Sequence, residues 1–281
     1  MAAKAKKAFQ YLLMSALSAV FIFPILWAVA SSLKTETNIV AFPPQLVPSP
    51  FTLESYNTVL AKYPYAGWMV NSIVIAVMST LFVLVIASLA AYAFARLEFP
   101  MKKPLFSLIT AMMLIPIQGY MIPLFKMLNA LNMRATPELS SLSLILCSGA
   151  NITSLFILTT FFREVPNSLE EAARIDGCSD FRFFATMVLP LSAAALSSVA
   201  ILTFISNWNQ FLWPSIVLSG NKNLTLPVAI ARYFGAAGQD AAFKYGPSLA
   251  AACMAILPTL LVFLSLQKYF VEGIAHSGIK G

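Results

Sequence analysis

Residues 68–95 read WMVNSIVIAVMSTLFVLVIASLAAYAFA, from Trp68 to Ala95 without one charged side chain. A helix needs about 20 apolar residues to cross a hydrocarbon core of about 30 Å, and this run exceeds that. Backbone groups in lipid must be satisfied within the segment, which leaves helix as the form; the alternation of a membrane barrel is absent. Similar runs lie at about 9–32, 104–126, 138–162, 184–218 and 246–270. Composition agrees, with 59% hydrophobic and 10% charged residues among 281, against about 25% charged in a soluble domain. The chain reads as an all-α polytopic membrane protein of about six transmembrane helices, forming one transmembrane domain over 1–281.

The net charge of +7 does not come with a basic cluster denser than Lys4, Lys6 and Lys7, so no nucleic-acid partner is expected. The first apolar run could be mistaken for a secretory signal, because Ala28-Val29-Ala30 is a small-residue site. From Ala8 to Leu33 it is longer than the 7–15 residues of a signal core, and a retained helix is expected. With the N-terminus inside, eleven Lys and Arg fall on the inner side and seven, Lys222 among them, on the outer. That bias places both termini in the cytoplasm, and the turn RLEFPMKK (96–103) is its strongest single indicator. The proline-rich segment after the first run reads as an outer loop leading to a short helix near Thr52, which Thr52 and Ser55 can cap.

The missing chemistry narrows the function. All eleven acidic residues, Asp240 among them, lie in loops or near the ends of apolar runs. An ion-coupled carrier usually holds an ionisable group inside the bundle, so that class is disfavoured. The sequence has neither a potassium-type filter nor a phosphate-cradling glycine loop followed by Lys and Ser/Thr. Cys147, Cys178 and Cys253 have no disulfide or metal-ligand spacing, and no catalytic or metal site is expected. If the protein drives transport, the energy comes from another chain.

One polar stretch breaks the apolar pattern: EEAARIDGCSDFRFFATMVLP, Glu170 to Pro190, inside a cytoplasmic loop of about 163–190. Pro166-Asn167-Ser168 is a helix start, with Ser168 and Glu171 at the spacing of a capping box. Gly177 is placed to end the helix in the left-handed conformation, and Ser179 starts a second one. The first helix is expected to present Leu169, Ala172, Ala173 and Ile175 outward, either to a partner or to the lipid surface.

Glu171-Ala172-Ala173, three residues, Gly177, nine residues, then Met187-Val188-Leu189-Pro190 resembles the EAA motif of binding-protein-dependent ABC importer permeases. Met187 stands where that motif usually has Ile. The resemblance extends over nearly the whole chain and narrows to the carbohydrate-uptake, MalG-like branch. AAYAFARLEFP (90–100), NWNQFLWP (207–214), LTLP (224–227), QKYF (267–270) and the terminal Lys280-Gly281 add to it, although GIAHSGIKG departs from the branch's usual tail. The resemblance implies a permease paired with a second permease, two ATP-binding subunits and an extracytoplasmic solute-binding protein, in the cytoplasmic membrane of a bacterium or archaeon. ATP and Mg would be bound by the partner ATPase, with no cofactor in this chain. It makes the polar stretch a coupling helix, with Glu171, Ala172, Ala173 and Gly177 docking on the ATPase and Arg174 and Asp176 flanking. A secondary carrier or a passive channel stays beside this reading as an alternative.

Asn207, Trp208, Asn209, Gln210 and Trp213 set amides and aromatic rings within one apolar run, as do Gln118 and Tyr120 between Pro116 and Pro123. Sugars stack on aromatic faces and hydrogen-bond to amides. Asn209, Gln210, Trp213, Gln118 and Tyr120 are therefore the candidate pathway residues, and helix packing is the competing role. Pro116 and Pro123 predict a kink. A sugar or oligosaccharide follows from the branch; a polyol, glycerol phosphate or uronic oligosaccharide stays open.

Overall fold

The computed structural model describes residues 2–218, 223–235 and 244–278. Lys222, Asp240, Lys280 and Gly281, named above, lie outside them. Helices follow in the order α1 (Ala2–Ser32), α2 (Glu36–Ile39), α3 (Glu54–Lys62), α4 (Tyr65–Arg96), α5 (Lys102–Ala111), α6 (Ile117–Ala130), α7 (Pro137–Ser148) and α8 (Ile152–Glu164). Next come α9 (Asn167–Ile175), α10 (Asp180–Phe183), a π-helical turn (Phe184–Val188), α11 (Leu189–Leu191), α12 (Ala193–Trp208), α13 (Leu212–Val217), α14 (Leu226–Phe234) and α15 (Tyr245–Gly278). No strand occurs among the described residues.

Three stretches are unbroken helices long and apolar enough to span a membrane: Lys6–Ser32, Tyr65–Arg96 and Tyr245–Ser265. Three more spans are helix pairs, Lys102–Leu114 with Ile117–Ala130, Pro137–Ser148 with Ile152–Glu164, and Asp180–Leu191 with Ala193–Trp208, bent by 101°, 42° and 78°. Together they make the six spans that the hydropathy predicts. The first bend answers to proline: Ile115 is extended at φ −86°, ψ 112° ahead of Pro116, as a pre-proline residue prefers. Pro123, by contrast, sits within α6. At the second, Asn151 accepts from the Ser154 N–H at 2.9 Å and starts a new helix. Gly149 is needed just before it, because a Cβ there would lie 2.5 Å from a ring carbon of Phe82. At the third, Ser192 leaves helical geometry at φ −98°, ψ 17°, two residues after Pro190 has removed a backbone donor.

Contacts gather the chain into two units. One holds residues 1–66 and 229–257. There the Ser32 and Tyr56 hydroxyls are 2.8 Å apart, and the buried Lys34 donates to the Gln45 carbonyl with its ammonium over the Trp27 ring. Glu36 accepts from the N–H groups of Tyr245 and Gly246 at 2.6 and 3.0 Å, a carboxylate at the positive start of α15. The short helix α3 begins at Glu54 rather than Thr52. The Thr52 hydroxyl accepts from the Glu54 N–H at 3.1 Å, while Ser55 is buried within the helix and is no cap.

The second unit holds residues 67–228 and 258–281. Its core joins Val83, Ala87 and Ala91 of α4 with Leu155, Leu158 and Phe162 of α8, Phe183, Phe184 and Val188, and Val199 of α12. Near the other end of α4, the Asn71 amide donates to the Asn223 carbonyl at 2.8 Å and Ser72 accepts from the Leu226 N–H at 2.6 Å. These bonds pin the LTLP segment.

Candidate functional site

The helix α9 carries the motif, and its two ends are built differently. It starts after Pro166, with no side-chain cap. The predicted capping box is therefore not formed: proline fixes the start one residue before Ser168, which shifts Ser168 and Glu171 out of capping register. The C-terminal end matches the prediction. Gly177 has φ +75°, its N–H donates to the Arg174 carbonyl at 3.0 Å, and the Cys178 N–H donates to the Ala173 carbonyl at 2.9 Å. This pair of bonds is a Schellman motif. Ser179 then accepts from the Arg182 N–H at 3.4 Å and opens α10 as expected.

The faces of α9 divide the motif. Glu171, Ala172, Asp176 and Gly177 are exposed, as are Leu169 and Ile175, the last at 87%. Ala173 is 4% exposed and belongs to the buried core. The expectation that Ala173 faces outward is corrected: in a nine-residue helix one face must pack, and a methyl is what lets α9 sit close to that core.

A residue that the sequence marked only as a topology signal holds the other end. Arg96, the last residue of α4, donates through Nε to the Phe162 carbonyl at 2.9 Å and through Nη1 to the Asn167 amide oxygen at 2.7 Å. It also donates through Nη2 to the Val165 carbonyl. Its Nη1 lies 3.5 Å from the Glu170 carboxylate, with side chains 5% and 16% exposed. The guanidinium thus meets the negative C-terminal end of α8, whose dipole favours a cation, and pairs with Glu170 in the first turn of α9, whose dipole favours an acid. Glu170 pairs also with Arg174 at 2.9 Å, and Arg174 lies 3.7 Å from Asp180. Ala95, Arg96, Glu98, Asn167, Glu170, Glu171 and Arg174 line a cavity of about 380 Å³ beside the helix. Sequence offered one signal for this clamp, a lone Arg closing an apolar span.

The candidate pathway residues are spread over two helices and a break. Asn209 and Gln210 fall between α12 and α13, Asn209 exposed and Gln210 half-buried. Trp213, in α13, is 3% exposed, and its indole N–H has no hydrogen-bond partner among the described residues. Gln118 and Tyr120 are exposed near the start of α6, a helix that packs against α13; no hydrogen bond joins the two sets. Asn207 donates to the Thr203 carbonyl of its own helix at 3.0 Å, and Trp208 stacks on Phe204.

Residues 84–276 match the family described as the binding-protein-dependent transport system inner membrane component. The chain belongs to this family. The permease is 34% identical to the trehalose/maltose transport system permease protein MalG of Thermococcus litoralis, over 92% of each chain. It is 33% identical to the sulfoquinovosyl glycerol transport system permease protein SmoH of Agrobacterium fabrum, over 92% of this chain and 89% of the relative. Its fold matches a chain of a bacterial ABC transporter involved in import of the acidic polysaccharide alginate, with a TM-score of 0.83 and 20% identity over 95% and 97% of the two chains.

Proposed function

We propose that this permease imports a sugar or oligosaccharide, driven by a separate ATPase that docks on α9. The observation that carries the reading is α9 itself: a short helix fixed at both ends to the membrane core, with Glu171, Ala172, Arg174, Asp176 and Gly177 left facing out. The sugar-related names of its relatives support the substrate class. The sequence offers no nucleotide site of its own, the family's binding-protein dependence supports an extracytoplasmic solute-binding protein as a partner, and the family resemblance implies a second permease. ATP binding closes the ATPase pair, α9 follows, and the spans reopen to receive solute, with both termini cytoplasmic. In proteoliposomes holding this chain and its partners, uptake requires internal ATP and the binding protein. Uptake by this chain alone on an ion gradient, or nucleotide-independent leakage of solute, would sink the proposal.

The pathway is assigned to Asn209, Gln210 and Trp213, with Gln118 and Tyr120 contributing from α6. A buried N–H without a partner costs about 1–3 kcal/mol, so the Trp213 indole marks a place where a hydroxyl oxygen is welcome. Asn209→Ala and Trp213→Phe are each expected to raise the solute concentration for half-maximal uptake about three- to tenfold, the worth of one hydrogen bond. Unchanged values in both variants would leave these residues to packing.

A further inference from the structure

The turn between α4 and α5 holds a second cavity, of about 770 Å³, whose lining includes Glu98, Met101, Lys102, Lys103, Phe106 and Arg163. We propose that it binds the phosphodiester headgroup of an anionic phospholipid. Three cations meet one carboxylate there, and Glu98 is already taken by Lys102 at 3.0 Å. Lys103 has no hydrogen bond or ion pair among the described residues. Arg163 lies over the Phe106 ring at 5.3 Å and reaches the Phe94 carbonyl only at 3.5 Å, which leaves most of its five donors free. The site therefore carries two uncompensated positive charges, enough for a phosphodiester.

Its position favours a lipid over a dissolved anion. The apolar α4 span has just ended at Arg96, and the apolar run of α5 begins beyond Lys103, so the cations stand at headgroup depth. Met101, Leu105 and Leu108 are 74%, 41% and 63% exposed on the same turn and helix, apolar surface that acyl chains would cover. Basic pockets between membrane helices are where anionic headgroups settle, each Lys or Arg near the surface contributing about 1 kcal/mol. The inference rests on membrane insertion and not on what is transported.

The test extracts the full chain in mild detergent with the subunits that accompany it. Phosphatidylglycerol and phosphatidylcholine with matched acyl chains are added, and bound lipid is counted by native mass spectrometry. Phosphatidylglycerol should be retained at least about fivefold more than phosphatidylcholine, and Lys103→Gln should remove about fivefold of that preference. Arg163→Gln should add to the loss. Lys103 is exposed, so that variant keeps the fold. Equal retention of the two lipids, or an undiminished preference in Lys103→Gln, overturns the proposal. So does displacement by excess inorganic phosphate, which would make this a free-anion site. A preference that exists only without the ATPase would assign the cavity to an acidic segment of that partner instead.

Discussion

Arg96→Ala is expected to lower the amount of ATPase recovered with the permease at least about tenfold. A nine-residue helix is marginal by itself, and α9 keeps its place through Ala173 and the Gly177 turn on one side and Arg96 on the other. Breaking a buried hydrogen-bonded ion pair costs about 3–5 kcal/mol. The lower end applies, because Glu170 keeps Arg174 and is 16% exposed. Docking affinity falls in proportion to the fraction of molecules with α9 in place, and a tenfold fall follows where the loss exceeds the stability that holds α9 there by about 1.3 kcal/mol. Arg96→Lys keeps the charge but not the fork that reaches two carbonyls and an amide, so its recovery should fall between wild type and alanine. The measurement is the ATPase-to-permease ratio after affinity purification. A wild-type ratio in Arg96→Ala would remove the clamp from the mechanism.

The second large effect is expected at Gly177. Nothing lies within 4 Å of a Cβ built there, so any penalty comes from the backbone at φ +75°. Left-handed geometry costs an ordinary residue about 1–2 kcal/mol, and a β-branched residue more. Gly177→Val should therefore give up the Schellman bonds and lower ATP-driven uptake about tenfold or more, whereas Gly177→Asn should keep most of it, asparagine being tolerated in that conformation. Glu171→Lys makes the complementary case. That carboxylate is exposed and has no partner among the described residues, so its reversal should lose uptake while thermal stability holds. Equal uptake in Gly177→Val and Gly177→Asn would show that the left-handed turn is not what matters.

Much of this was legible in the sequence, for reasons that differ along the chain. The spans could be read because lipid demands long apolar runs, and Gly177 because few residues other than glycine end a helix that way. Bends were harder. Pro116 could be named, but hydropathy does not fall at Gly149 or Ser192, so two broken spans read as continuous. The capping box failed because two residues at the right spacing do not say where a helix starts when a proline precedes them. Ala173 was misplaced because a small side chain suits docking and close packing equally. Arg96 was missed because its partners lie 66 to 74 positions away, beyond any local pattern. For the pathway residues, amides and aromatic rings in a span look the same whether they meet solute or another helix.

The burial of Ala173 bears on how force crosses the membrane face. Its methyl lies in one packed cluster with Val83 of α4, Phe162 of α8 and Val199 of α12. Protein interiors are packed as densely as organic crystals and yield little to compression. If an ATPase docks on α9 as proposed, its push is thus not delivered to a single connecting strut; three spans take up the load together.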